Sequence, residues 1–240
     1  MPDCDWWHAL WPDPDSTVKA LGVAHGMTVV DLACGDGYFT AAIARQVAPG
    51  RVIGVDLDPG LLEQAQAACA GMPNCEWQSG DAMELSRLVH APVDCVLVAN
   101  TFHGVPDKTA LAREVAATLK PEGLFTIINW HRMAREETRV LDKPRGPPTN
   151  LRLAPDETCT AVEPGGFVLE SLIEFPPYHY GVIFERARGT KYVPTTFKSS
   201  TQDHRLCFDG WPPSEWVVVA LHGLLGSRND RYQQAGRLVR

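Results

Sequence analysis

The 240-residue chain has no Cys-x-x-Cys pair, no surplus of basic charge and no apolar run near the roughly 18 residues a membrane-spanning helix requires. Its seven cysteines are odd in number and scattered. Free thiols in a reducing cytoplasm are therefore expected rather than a disulfide framework. Lys plus Arg number 22 against 29 Asp plus Glu, a formal charge of -7, which argues against general affinity for nucleic acid phosphates or an anionic membrane. A small-molecule partner is the expectation. The opening Met1-Pro2-Asp3-Cys4-Asp5-Trp6-Trp7 carries acids where a secretory signal carries bases, and His8 and Pro12 break its apolar stretch. Cys4 and His8 stand one helical turn apart, but two ligands without further partners do not make a metal site. No metal is expected.

What is present, with 45% hydrophobic residues, is enough apolar material for one sizeable core. Five runs rich in Val, Ile and Leu, 28–32, 51–55, 75–78, 93–99 and 124–130, alternate with helix-like stretches at 38–47, 59–70 and 108–119. That alternation is the pattern of βαβ units feeding a parallel sheet. A sixth run, 168–175, and a seventh, 182–186, flank Pro176-Pro177-Tyr178-His179-Tyr180-Gly181; strands joined so tightly are antiparallel. The predicted fold is α/β, a seven-stranded Rossmann-like sheet, mostly parallel with an antiparallel last strand and helices on both faces.

The first run ends in a carboxylate, Asp31, and Gly35-Asp36-Gly37 follows before a helix begins near Tyr38. Glycines there let the backbone turn and approach a ligand closely. A glycine loop alone is weak evidence, since several nucleotide-binding folds use one. Asp31 separates the alternatives: it would repel a pyrophosphate held at the helix start and attract a cation. Asp56 ends the second run 19 residues after Gly37, near the spacing of an acid that grips a ribose. Asp81 in Ser79-Gly80-Asp81-Ala82 and Asn100 in Ala99-Asn100-Thr101-Phe102-His103 reach the same sheet edge.

This series resembles the class I S-adenosylmethionine-dependent methyltransferases. Val29-Val30-Asp31-Leu32-Ala33-Cys34-Gly35-Asp36-Gly37 together with Val55-Asp56-Leu57-Asp58-Pro59 is similar to the ubiquinone and menaquinone biosynthesis type over about residues 20 to 186. The resemblance implies S-adenosylmethionine as cofactor, with Gly35 and Gly37 along its amino acid portion, Asp56 on ribose and Asp81 on adenine. Asp31, Ala33, Leu57, Ala82 and Asn100 complete the candidate cofactor set. Ala33 departs from the family, which usually has glycine there. The implied strand order is 3-2-1-4-5-7-6, and the implied activity is methyl transfer to a small molecule. The alternative is a cofactor-binding or regulatory module on the same fold.

Positioning supplies most of the catalysis of a methyl displacement, and a base is required only where the acceptor loses a proton. His103, after the fourth strand, is the candidate base; His131 and His179 are others at that edge. Asn129, Tyr178, Tyr180, His131 and His179 are candidate acceptor-binding residues, with Trp130 beside them. The segment 1–20 packs Trp6, Trp7 and Trp11 into six residues. It either covers the substrate with Trp7 and Trp11 or pins a helix to the core. Cys34 reads as a small buried thiol.

The charge changes at residue 187, after which eight Lys and Arg stand against four Asp and Glu. Residues 1–186 are thus assigned to the domain and 187–240 to an appended tail. Within it, Trp216-Val217-Val218-Val219-Ala220-Leu221-His222-Gly223 resembles an early strand and His-Gly turn of α/β-hydrolases. The chain has no Gly-x-Ser-x-Gly elbow, so no triad assembles. The expectation is a vestigial fragment, with an accessory strand and helix or a homodimer contact as the other readings.

Overall fold

The computed structural model describes residues 4–187, and the expected hydrolase-like tail lies outside the described residues. Seven strands form one sheet: β1 (Thr28–Leu32), β2 (Arg51–Asp56), β3 (Cys75–Ser79), β4 (Val93–Ala99), β5 (Leu119–Trp130), β6 (Phe167–Phe175) and β7 (His179–Arg186). Their order is β3-β2-β1-β4-β5-β7-β6. The first five are mutually parallel, and β7 runs antiparallel to both β5 and β6. The Rossmann-like topology is the expected one.

Strands covered on both faces need apolar side chains at consecutive positions. In β1, Val30 and Leu32 enter one core cluster while Val29 enters the other. The Val30 cluster includes Leu111, Ala112 and Val115 of α6 (Lys108–Thr118) and Cys159 and Val162 of α7 (Pro155–Val162). Val29 packs with residues of α1 (Cys4–Leu10), α2 (Pro14–Ala20) and α3 (Tyr38–Val47). Acids cap the helix starts: the Asp58 carboxylate accepts from Gly60 N at 2.8 Å before α4 (Pro59–Ala68), and that of Asp107 from Ala110 N at 2.8 Å before α6. The short helix α5 (Leu85–Leu88) follows β3.

Several boundaries differ from the sequence pattern. Pro121-Glu122-Gly123, whose proline and glycine read as a turn leading into the run 124–130, lies inside β5. Val93 pairs with Leu119 and Cys95 with Leu124, so a bulge absorbs the extra residues, with Glu122 at φ 64°. Strand β7 starts at His179 rather than Val182, because its ladder with β5 runs from Trp130↔His179 to Leu124↔Glu185. Residues 14–20, not expected as a helix, form α2 behind an Asp13 cap. An insertion between β5 and α7, residues 131–154, also escaped the sequence pattern; its Arg139–Val140 and Lys143–Pro144 form a two-stranded ladder.

The chain leaves β1 toward β2 and β3 on one side and returns through β4 toward β5 on the other. Ligands bind where the strand order reverses, at the carboxyl ends. Here that point lies between β1 and β4.

Candidate active site

A cavity of about 340 Å³ opens at this switch point. Asp31, Ala33 and Cys34 come to it from the end of β1, Ala99, Asn100 and His103 from the end of β4, and Trp130 from the end of β5. Trp6 and Trp7 of α1 close one side, and Arg135, Arg145 and Gly146 of the insertion close another.

Asp31 is 1% exposed, and its Oδ2 accepts from the Thr40 hydroxyl at 2.5 Å. Burial raises its pKa to about 7, opposed by the Thr40 hydrogen bond and assisted by Asp56 and Asp36. Ala33 has φ 59°, in the left-handed region where a Cβ is strained. That conformation gives the physical reason glycine suits this position. Ala33→Gly is expected to stabilise the protein by about 1 kcal/mol, measured by denaturant unfolding; an unchanged midpoint would show the loop already relaxed. Gly37, at φ 83°, starts α3, and a Cβ there would stand 2.9 Å from the Ala65 backbone. The turn depends on glycine for both reasons.

Asp56 is buried at the end of β2, where its Oδ2 accepts from Gly35 N at 2.8 Å and its Oδ1 from Asp58 N at 3.0 Å. Each carboxylate oxygen keeps a further acceptor direction. The same residue therefore shapes the glycine loop and offers lone pairs to a ligand. Gly35, Gly37, Asp56, Leu57, Asp81 and Ala82 do not line the cavity. Leu57 is 68% exposed, and exposed Asp81 accepts from Met83 N at 2.9 Å at the start of a 3-10 turn.

Asn100 has φ 58°, which asparagine tolerates better than most residues. Among the described residues its buried side-chain nitrogen and oxygen have no hydrogen-bond partner. A buried amide left so is costly, and this one borders the cavity. His103 Nδ1 is also buried and unpartnered among the described residues. Burial, then Lys108 and Arg152, hold the imidazole below its ordinary pKa. Burial pushes the Cys34 thiol far up, which leaves it protonated and a poor nucleophile.

Of the expected acceptor residues, Trp7 reaches the cavity while Trp11, Asn129, His131, Tyr178, His179 and Tyr180 do not line it. Pairing explains the difference. Trp11 packs against Phe39, Phe175 and His179 at centroid distances of 5.4, 5.8 and 4.7 Å, so it anchors the N-terminal segment while Trp6 and Trp7 face the cavity. Asn129 and Thr158 are hydrogen-bonded to the Tyr180 hydroxyl in the core, at 3.4 and 2.7 Å. His131 meets Glu174 at 2.8 Å. Tyr178 donates its hydroxyl to Arg139 O at 2.9 Å and holds the insertion. His179 is 1% exposed between Trp11 and Trp130, and burial drives its pKa well below the ordinary value.

The residues that sequence reasoning missed are Trp6 as a wall, Asp36, Tyr38, Phe39 and the arginines of the insertion. Arg152 organises that insertion: it is 1% exposed, donates to Pro147 O, Thr138 Oγ1 and Arg145 O, and lies over Trp130 at 5.1 Å. Nothing in the spacing of residues 131–154 marked them as part of a site.

Residues 29–123 match the family model described as a methyltransferase domain. Those residues carry a methyltransferase domain, and such a domain implies S-adenosylmethionine as its cofactor. The methyltransferase domain is 33% identical over 122 residues to the demethylmenaquinone methyltransferase of Staphylococcus aureus strain JH9, covering 50% of this chain and 49% of that protein. The chain thus spans about half the length of the curated relatives it matches. A S-adenosylmethionine-dependent methyltransferase from Aquifex aeolicus superposes with a TM-score of 0.63 at 23% identity, over 73% of this chain and 90% of that one. The [4+2]-cyclase SpnF superposes with a TM-score of 0.59 at 14% identity, over 73% and 81%. Among the described residues, no helix is long and apolar enough to cross a membrane.

The site fits the cofactor that the family implies. A cationic ligand suits the buried Asp31 carboxylate, the orphaned Asn100 amide offers it a donor and an acceptor, and Asp36 of the Gly35–Gly37 turn lines the same cavity.

Proposed function

We propose that the chain transfers a methyl group from S-adenosylmethionine to a small organic acceptor held in the cavity between β1 and β4. The observation that carries this reading is the buried Asp31 carboxylate facing the cavity beside the unpartnered Asn100 amide. An anionic wall disfavours a pyrophosphate and favours a ligand with ammonium and sulfonium charges. When bound, the cofactor supplies an electrophilic methyl group. Asp31 and Asn100 hold its amino acid end, Asp56 its ribose, and Asp81 with exposed Leu57 its base.

His103 is neutral near pH 7 and borders the cavity, so it accepts the acceptor's proton where one is lost. Trp6, Trp7 and Trp130 exclude water from that wall. The protein acts in the cytoplasm on a small molecule, without nucleic acid or membrane as partner.

Calorimetric titration tests the reading. S-adenosylmethionine should bind at micromolar concentration and NAD should not; binding of NAD alone would overturn it. Asp56→Ala is expected to weaken S-adenosylmethionine by about 2 kcal/mol, roughly 30-fold. An unchanged affinity would place the ribose elsewhere. The second reading is cofactor binding without transfer, favoured by the likeness to a cyclase of the same fold. Incubation with methyl-labelled S-adenosylmethionine and a macromolecule-free cell extract separates the two, because only a transferase moves the label.

A further inference from the structure

The cavity is electrically polarised. Asp31 and Asp36 stand on the β1 side, while Arg135 and Arg145 of the insertion stand on another side with Trp6, Trp130 and His103. Arg145 lies over the Trp6 ring at 5.0 Å, and its Nε is buried without a hydrogen-bond partner among the described residues. Arg135 spends its Nε on Gly146 O at 3.0 Å, leaving its two terminal nitrogens available. Behind them, Arg152 has a buried Nη1 that is likewise unpartnered. Among the described residues, no carboxylate lies within ion-pair distance of these three guanidinium groups; Glu136 acts on Arg152 from beyond that distance, and Arg135 is exposed while Arg145 is half-buried.

Concentrating like charges beside a partly desolvated pocket is unfavourable unless an anion completes it. The fold nevertheless builds this arrangement. Gly146, at φ 85°, passes so close to Trp130 that a Cβ would stand 2.8 Å from the indole. Arg152 accordingly ties Arg145 O and Pro147 O on either side of it. The Arg145 backbone is thus held at the cavity by neighbours that do not themselves satisfy its guanidinium.

Resting on the proposed methyl transfer, we infer that the acceptor is a small carboxylate with an aromatic or other flat apolar body, its carboxylate seated on Arg145 and Arg135. The planar guanidinium matches a carboxylate in a two-pronged geometry, and the indoles of Trp6 and Trp130 supply the apolar walls. His103 stands in the same cavity, so anchoring the carboxylate at the arginines positions the rest of the acceptor relative to the base. The cofactor's own carboxylate is the competing occupant. The arginines belong to the insertion rather than to the β1 loop, which favours the acceptor.

The test uses the full chain saturated with S-adenosylhomocysteine and titrated calorimetrically with benzoate, benzamide and inorganic phosphate. Benzoate should bind at least tenfold more tightly than its neutral analogue benzamide and than phosphate. Arg145→Met should weaken benzoate at least tenfold while changing the S-adenosylhomocysteine Kd less than threefold, and Arg145→Lys should recover part of the benzoate affinity. Equal binding of benzoate and benzamide, no benzoate binding, or tighter binding of phosphate would overturn the inference. So would an Arg145→Met loss confined to S-adenosylhomocysteine, which would assign the arginine to the cofactor. Failure of the unsubstituted chain to bind S-adenosylhomocysteine would instead remove the methyl-transfer reading beneath it.

Discussion

Asp31→Asn is expected to make the ligand-free protein more stable at pH 8 while weakening S-adenosylmethionine by about 3 kcal/mol, 100-fold or more. Both effects have one cause. The carboxylate is buried with a single hydroxyl donor, Thr40, and burial raises its pKa to about 7 from the ordinary 3.8. Between those two values the folded protein holds a proton that the unfolded chain has lost. Stability from this group therefore falls as pH rises from about 4 to about 7. Above pH 7 the folded state carries a buried charge, and asparagine removes it. The stability difference between variant and native protein should grow from pH 5 to pH 7 and then level, reaching at most about 4 kcal/mol.

Cofactor affinity runs the other way. A cationic ligand requires the ionised carboxylate, so native affinity should fall toward tenfold per pH unit below pH 7, whereas the variant should show no such dependence. Denaturant unfolding and calorimetry across pH 5–8 measure both. A variant that is less stable at pH 8, or that binds S-adenosylmethionine as tightly, would remove Asp31 from the role given to it. His179 must be kept separate in such data: its pKa is depressed by burial, so its contribution is lost as pH falls from 6.5 toward the folded value. It is common to both proteins and cancels in the difference.

His103→Gln is expected to lower kcat by 10²- to 10⁴-fold when the acceptor loses a proton, the range for a positioned general base. Cofactor affinity should change little, since the role proposed for the imidazole is toward the acceptor. The pKa of His103 is lowered first by burial and then by Lys108 and Arg152, so kcat at saturating cofactor should decline only below pH 6.5. The Asp31 limb near pH 7 belongs to cofactor capture and appears in kcat/KM for the cofactor. A variant with kcat within threefold of the native value would mean that transfer proceeds without this base.

Parallel strands leave a strong imprint on sequence. Val29 and Val30 are both fully buried because β1 is covered on both faces, and such runs are visible without a structure. Acids at strand ends are equally visible: Asp31, Asp56 and Asp81 stand out because a carboxylate after an apolar run has few structural uses. What escaped was whatever depends on contact between distant segments. Pro121-Glu122-Gly123 carries every signal of a turn, yet pairing of Val93 with Leu119 draws it into β5 as a bulge. Tyr178, His179 and Tyr180 sit at the expected edge, but each is engaged by a partner far away in sequence, Arg139, Trp130 and Thr158 respectively.

The sequence by itself determined the alternation of strands and helices and the acids at the strand ends, because local periodicity and strand-end chemistry need no knowledge of neighbours; the strand order came only from the family resemblance. Tertiary structure alone decided which side chains face the cavity. Arg145 lies on an insertion without periodicity, and it reaches the site only because Arg152 and Tyr178 hold that insertion in place. It also decided the charge state of Asp31, since a carboxylate's pKa depends on the water removed from around it, and burial is a property of the whole fold.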